Sequence, residues 1–156
     1  MENKMFDAPA GKPEVRVSAT FSAPRERLFK ALTDPSLIPM WWGPRRMTTK
    51  VEKMYVRRGG AWRFIQRDAE GKEFAFRGKF EEVKPPRELK YTFEWEGMPG
   101  HISTETVTLE EHGGKTTEEQ RIVFQSIEDR DGMVKMDMKE GELESMDRLA
   151  ELVEKK

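Results

Sequence analysis

The sequence contains no cysteine, which excludes disulfides, thiolate nucleophiles and Cys-ligated metals. Histidine is almost as scarce. His101 and His112 are the only two, both in stretches that read as loops, and no carboxylate cluster shows metal-ligand spacing with either. No Gly-x-Ser-x-Gly elbow is present, so a nucleophilic triad has neither its turn nor a base beside a hydroxyl. An apolar run of the ~18 residues that a membrane span needs is also missing. The start, Met1-Glu2-Asn3-Lys4, lacks the apolar core of a secretory signal.

Charge of a single sign is missing too. The chain carries 28 basic and 29 acidic residues, a net charge of −1, interleaved as in Arg25-Glu26-Arg27 and Glu128-Asp129-Arg130-Asp131. No stripe can therefore track phosphates, and the balance argues against nucleic acid and membrane surfaces as partners. With the missing cysteines it suits a reducing, cytoplasmic compartment. Nothing repeats and no linker divides the chain, so residues 1–156 read as one domain with residues 1–12 as a loose lead-in.

What the chain does have is alternation. Val15, Val17, Ala19 and Phe21 alternate with polar residues as in a half-buried strand. Ser22-Ala23-Pro24 then offers a helix start with Ser22 as candidate N-cap, ended by Thr33-Asp34-Pro35. A second short helix covers Leu37 to Trp41. Strands follow in close succession: Thr49 to Val56, Ala61 to Arg67, Phe74 to Glu81, Leu89 to Trp95, Ser103 to Glu110 and Thr116 to Gln125. From Ile127 on, Met138, Leu143, Met146, Leu149, Ala150 and Val153 recur at helical spacing opposite a charged arc, as in one long amphipathic helix. Segregated helices and strands make an α+β fold, a six- to seven-stranded antiparallel sheet whose aromatic face the last helix covers.

The order of the local motifs resembles a known family. Phe21-Ser22-Ala23-Pro24, Leu28-Phe29-Lys30-Ala31-Leu32-Thr33-Asp34-Pro35, Trp41-Trp42-Gly43-Pro44 and Arg57-Arg58-Gly59-Gly60-Ala61-Trp62-Arg63 come first. Gly78 to Val83, Pro85 to Leu89, Gly141, Glu144-Ser145 and Asp147-Arg148-Leu149 complete the series. Together they are similar to the START-like SRPBCC superfamily, and within it to homologues of the activator of the heat-shock chaperone ATPase. The resemblance implies a helix-grip (START/Bet v-like) fold, a sheet wrapped around a C-terminal helix. It leaves activity open, because relatives bind lipids, hormones and polyketides and some are enzymes. Tyr55, Arg58, Asp137 and Glu118 depart from the family's usual Asp, Pro, small residue (often Gly) and aliphatic. The Lys and Glu preference at exposed sites suits a redesigned or stabilised member as well as natural divergence.

A pocket for a small apolar or aromatic ligand, without cofactor or metal, is the first functional expectation. Its candidate walls are Trp62, Phe64, Phe76, Tyr91, Phe93 and Phe124, although an aromatic face of this kind is also ordinary core. Trp42, with Met133 and Met136, stands near the expected mouth, Tyr55 is a further ligand candidate where the chain leaves the family pattern, and Gln120 shares a strand face with Glu118. Glu118 is either an exposed strand end beside Gly113-Gly114 or a desolvated carboxylate able to act as general base. Asp137 is either a solvated residue at the helix start or a second acid facing Glu118. The second expectation is thus a cofactor-free enzyme doing acid/base chemistry on a flat apolar substrate, with Glu118 and Asp137 catalytic. A chaperone contact is the third, and a homodimer stays open.

Overall fold

The computed structural model describes residues 1–155, which form eight strands and four helices. In chain order these are β1 (Glu2–Asp7), β2 (Glu14–Phe21), α1 (Arg25–Thr33), α2 (Ile38–Trp41), β3 (Thr48–Met54), β4 (Ala61–Arg67), β5 (Glu73–Lys84), β6 (Glu88–Trp95), β7 (Ile102–His112), β8 (Lys115–Val123), α3 (Ile127–Lys135) and α4 (Met138–Val153). One sheet holds all the strands in the order β1-β2-β8-β7-β6-β5-β4-β3, every neighbour antiparallel. Register shifts between Val51 and Lys53 and between Phe80 and Glu82 interrupt the ladders. Irregularities of this kind add local bend and twist, which lets a sheet curl into a trough.

The side-chain period of two decides what the trough is made of. On β2, Val15, Val17, Ala19 and Phe21 are all buried, and β8 sets Gln120 opposite Val17 and Ile122 opposite Val15. On β4, Trp62, Phe64 and Gln66 turn the same way. Helix α4 closes the trough by burying Met146, Leu149 and Val153, each worth ~1.5–3 kcal/mol when fully removed from water. This is the helix-grip arrangement expected from the sequence.

Four details differ from the sequence reading. Residues 2–7 form an edge strand, not a lead-in: β1 pairs with β2, Phe6 packs on the core, and Lys4 reaches Asp147 of α4 at 2.8 Å. Its polar composition hid a strand that gains its stability from pairing and one apolar contact. The sheet accordingly has eight strands. Pro24, not Ser22, occupies the N-cap of α1, and the Ser22 amide donates to Glu154 at 2.8 Å. The C-terminal helix is two helices: α3, capped by Ser126, whose Oγ accepts from the Asp129 amide at 3.0 Å, and α4. They meet at Asp137, which has φ +61°. That is the left-handed region disfavoured by a Cβ, and it explains why a glycine suits this position.

Candidate functional site

Between the trough and α3–α4 lies a cavity of about 570 Å³, within the ~300–1,000 Å³ typical of small-molecule sites. Its floor is aromatic because consecutive strands each send a ring inward at the same level: Trp62 and Phe64 from β4, Phe76 and Phe80 from β5, Tyr91 and Phe93 from β6. Phe64 and Phe76 are direct register partners, and so are Phe80 and Tyr91. Phe76 and Phe93 lie 5.4 Å apart, and Trp62 lies 4.7 Å from Phe64, spacings at which ring pairs attract.

Trp62 is aimed by a close backbone approach. Its indole N–H donates across β5 to the Thr92 carbonyl of β6 at 3.2 Å, passing over Gly78. A Cβ on residue 78 would lie 1.9 Å from that carbonyl oxygen and 2.6 Å from the indole nitrogen. Only glycine leaves the path free.

The mouth is fixed by the segment after α2. Ser145 Oγ donates to the Trp41 carbonyl at 3.1 Å and accepts from the Gly43 amide at 3.1 Å. Arg148 donates to the Gly43 carbonyl at 2.8 Å and to that of Pro39 at 3.3 Å. These bonds hold Trp42 over the floor, edge-on to Phe64 at 5.1 Å and to Phe76 at 5.4 Å. The Trp-Trp-Gly-Pro and Glu-Ser-x-Asp-Arg motifs, about a hundred residues apart, thus form one clasp.

Three glutamates reach into this apolar surrounding. Glu118 is 0% exposed; its Oε1 accepts from Gln120 Nε2 at 2.7 Å, while its Oε2 is buried without a hydrogen-bond partner. Desolvation pushes its pKa up to about 7, with the Gln120 bond acting against the rise and the Glu105 charge adding to it. Glu105 is 8% exposed, stands on the cavity wall and faces Tyr91 directly across the β6–β7 ladder. Burial raises its pKa, against a partial lowering by the Tyr91 hydroxyl. Burial, reinforced by Glu105, likewise raises the Tyr91 phenol. Glu142, half-buried on α4, also lines the cavity and is raised by desolvation and by the charges of Glu105 and Glu118. Among the described residues none of the three glutamates forms an ion pair, and none belongs to a cluster able to hold a metal ion.

Most of the sequence-derived site residues meet here. Trp42, Trp62, Phe64, Phe76, Tyr91, Phe93, Gln120, Met133 and Met136 all line the cavity. Glu118 stands on the concave face behind Gln120, not at a solvated strand end. Asp137 lies on the rim, exposed; the acid whose charge acts on Glu118 is Glu105 instead, and both of them act on Glu142. Tyr55 is 50% exposed beyond the end of β3, where Arg57 stacks over its ring, and it does not touch the cavity. The strand ends before it, so the inward alternation no longer applies. Phe124 lines a second, smaller cavity of about 160 Å³, which shares Phe93, Met133 and Met136 with the first. Glu105 and Glu142 escaped the sequence reading although both left a signal. Glu105 has the inward parity of Ser103, Val107 and Leu109, and Glu142 falls in the stripe Met138–Glu142–Met146–Leu149–Val153.

The family model described as "Activator of Hsp90 ATPase homolog 1-like protein" matches residues 22–154. The chain is similar in structure to a protein from Arthrobacter aurescens, with a TM-score of 0.90, 22% identity, and 96% of this chain and 91% of that chain covered. It is also similar to a protein from Chromobacterium violaceum, with a TM-score of 0.83, 26% identity, and coverage of 92% and 99%. A third similar structure is DynU16, a protein of the dynemicin biosynthetic locus, with a TM-score of 0.72 and 23% identity. The alignment with it covers 92% of this chain and 48% of that one. A comparison with curated proteins finds no significant match.

Proposed function

Starting from the premise that the chain belongs to the Activator of Hsp90 ATPase homolog 1-like family, we propose that it is a small-molecule binding domain whose ligand is a largely apolar, ring-containing compound. The observation that carries this reading is the cavity of about 570 Å³ floored by rings on three successive strands. A solid core would bring α4 down onto those rings; here the clasp at Ser145 and Arg148 holds the helix away from them. Titration with naphthalene-type compounds, followed by tryptophan fluorescence, tests it. Saturable quenching with a rise in melting temperature is expected, since a ligand that binds only the folded state stabilises it. Trp62→Phe and Phe76→Leu should weaken binding. No response to any ring compound would refute the reading.

A second reading, a cofactor-free acid/base enzyme, is favoured by Glu105, a carboxylate with raised proton affinity on the cavity wall. In this reading Glu105 takes a proton from a substrate stacked on Trp62, Tyr91 steadies the carboxylate, and Glu118 acts through Gln120. Turnover of an activated carbon acid such as a benzisoxazole, lost in Glu105→Gln, is its test. A chaperone contact, which the family name suggests, is tested by titrating the protein against a heat-shock chaperone ATPase and reading hydrolysis.

A further inference from the structure

The cavity is one-sided in charge. Its lining includes Glu105 on the wall, Glu142 on the roof, and Asp137, Glu140 and Glu144 at the rim, against one basic residue among the described residues, Arg46. Two further cations lie outside the lining: Arg148 donates to backbone carbonyls, and Arg45, whose amide donates to Glu144, pairs through its side chain with Glu151. Behind the wall, Glu118 places a carboxylate oxygen in a fully buried position with no hydrogen-bond partner. A carboxylate group that is buried without a cation is costly, and removing water from several at once is more so. What such an arrangement lacks is a positive charge from outside.

The geometry points to an organic monocation, a protonated amine carried on a flat or branched apolar body, as the ligand class of this cavity. The inference rests on the ring-lined cavity being a ligand site and specifies what enters it. The apolar body would lie on the rings of Trp62, Phe76 and Phe93, whose faces attract cations as well as hydrocarbon. The ammonium group would sit between Glu105 of β7 and Glu142 of α4, with the Tyr91 hydroxyl beside them. Glu118 would then act at longer range, through Gln120.

The groups that face this position are Tyr91 from β6, Glu105 from β7, Glu118 and Gln120 from β8, and Glu142 from α4, with Asp137, Glu140, Glu144 and Arg46 further out. Because the inner glutamates hold protons more tightly than free carboxylates, affinity for a cation should rise with pH as they ionise. An arylmethylamine, whose ammonium is somewhat more acidic than that of lysine, stays predominantly charged over that range.

The test compares 2-naphthylmethylamine with 2-naphthylmethanol, equal in shape and different in charge, by calorimetric titration of the intact protein at about pH 6 and about pH 8.5. At the higher pH the amine should bind about tenfold tighter or better, which corresponds to ~1.4 kcal/mol, and the ratio should shrink at the lower pH. The variant Glu105→Gln/Glu142→Gln should bring the ratio to about one; its melting curve confirms that it is folded, and the single variants serve in its place if it is not. Equal affinity for the two probes in the unaltered protein, or an amine preference that survives the substitutions, overturns the inference while leaving the ring-binding reading in place. Failure of both probes to bind overturns both.

Discussion

Glutamine at position 118 should make this protein more stable, and only above a definable pH. Glu118 takes up a proton at about 7 when folded, against 4.5 for an ordinary glutamate. The sign follows from which state holds the proton. Between those values the folded chain keeps a proton that the unfolded chain has released, so stability falls as pH rises through the interval and the full cost is present above about 7. The two values differ by the equivalent of ~3 kcal/mol. Glutamine keeps the acceptor for Gln120 Nε2 but puts an amide where Oε2 has no partner, and an unmet buried donor costs ~1–3 kcal/mol. The net gain for Glu118→Gln is therefore ~1–2 kcal/mol at about pH 8, or roughly 2–8 °C in Tm for a chain of this length. Near pH 4 the gain should vanish or reverse, because the wild-type carboxyl is then neutral and no longer carries the cost of a buried charge. Urea unfolding of both proteins across this pH range measures the difference directly. Some slope should persist in the variant, since Glu105 and Glu142 still titrate. A difference independent of pH, or a variant less stable than wild type at about pH 8, would show that Glu118 is not a desolvated acid.

Other parts of the fold give their own expectations. Gly78→Ala should destabilise by ~1–3 kcal/mol, because its methyl would collide with the Thr92 carbonyl and the Trp62 indole; thermal melts and a shifted tryptophan emission report it. Asp137→Gly should stabilise by ~1 kcal/mol by relieving a left-handed backbone at the start of α4, measurable as a higher urea midpoint with unchanged slope. Ser145→Ala leaves the Gly43 amide without its side-chain acceptor and should cost ~1–2 kcal/mol, with faster amide exchange around Trp41 and Gly43. Phe6→Ala should cost ~1–2 kcal/mol in chemical unfolding, since the ring is half-buried and β1 has little else apolar to hold it.

The trough was legible in the sequence where alternation is strict. Trp62, Phe64, Phe76, Tyr91 and Phe93 could be placed on one face by parity alone, and they do meet in the cavity. Parity says nothing about a polar edge strand, so β1 went unread: Glu2 to Asp7 offers Met5 and Phe6 in succession, not in alternation. The break at Asp137 is invisible to helical periodicity, because the apolar stripe of α4 gives no sign of where it starts. Parity did carry the information on Glu105, and helical spacing did so for Glu142. Both were overlooked because a carboxylate in an inward register looks like an exception to be explained by solvent. Tyr55 illustrates the converse: an aromatic residue just past a strand end has lost the geometry that would turn it inward.

Met133 and Met136 form, with Phe93, the partition between the larger cavity and its neighbour of about 160 Å³. Unbranched thioether chains have three rotatable bonds and adopt several shapes at similar energy. A partition made of them behaves as a sliding panel, not a wall. An occupant too long for the main chamber could extend into the side chamber toward Phe124 and Ile102 by displacing two side chains, with no strand or helix moving. The protein's reach in ligand length would then be set by those methionines, and its reach in ligand width by the rings beneath.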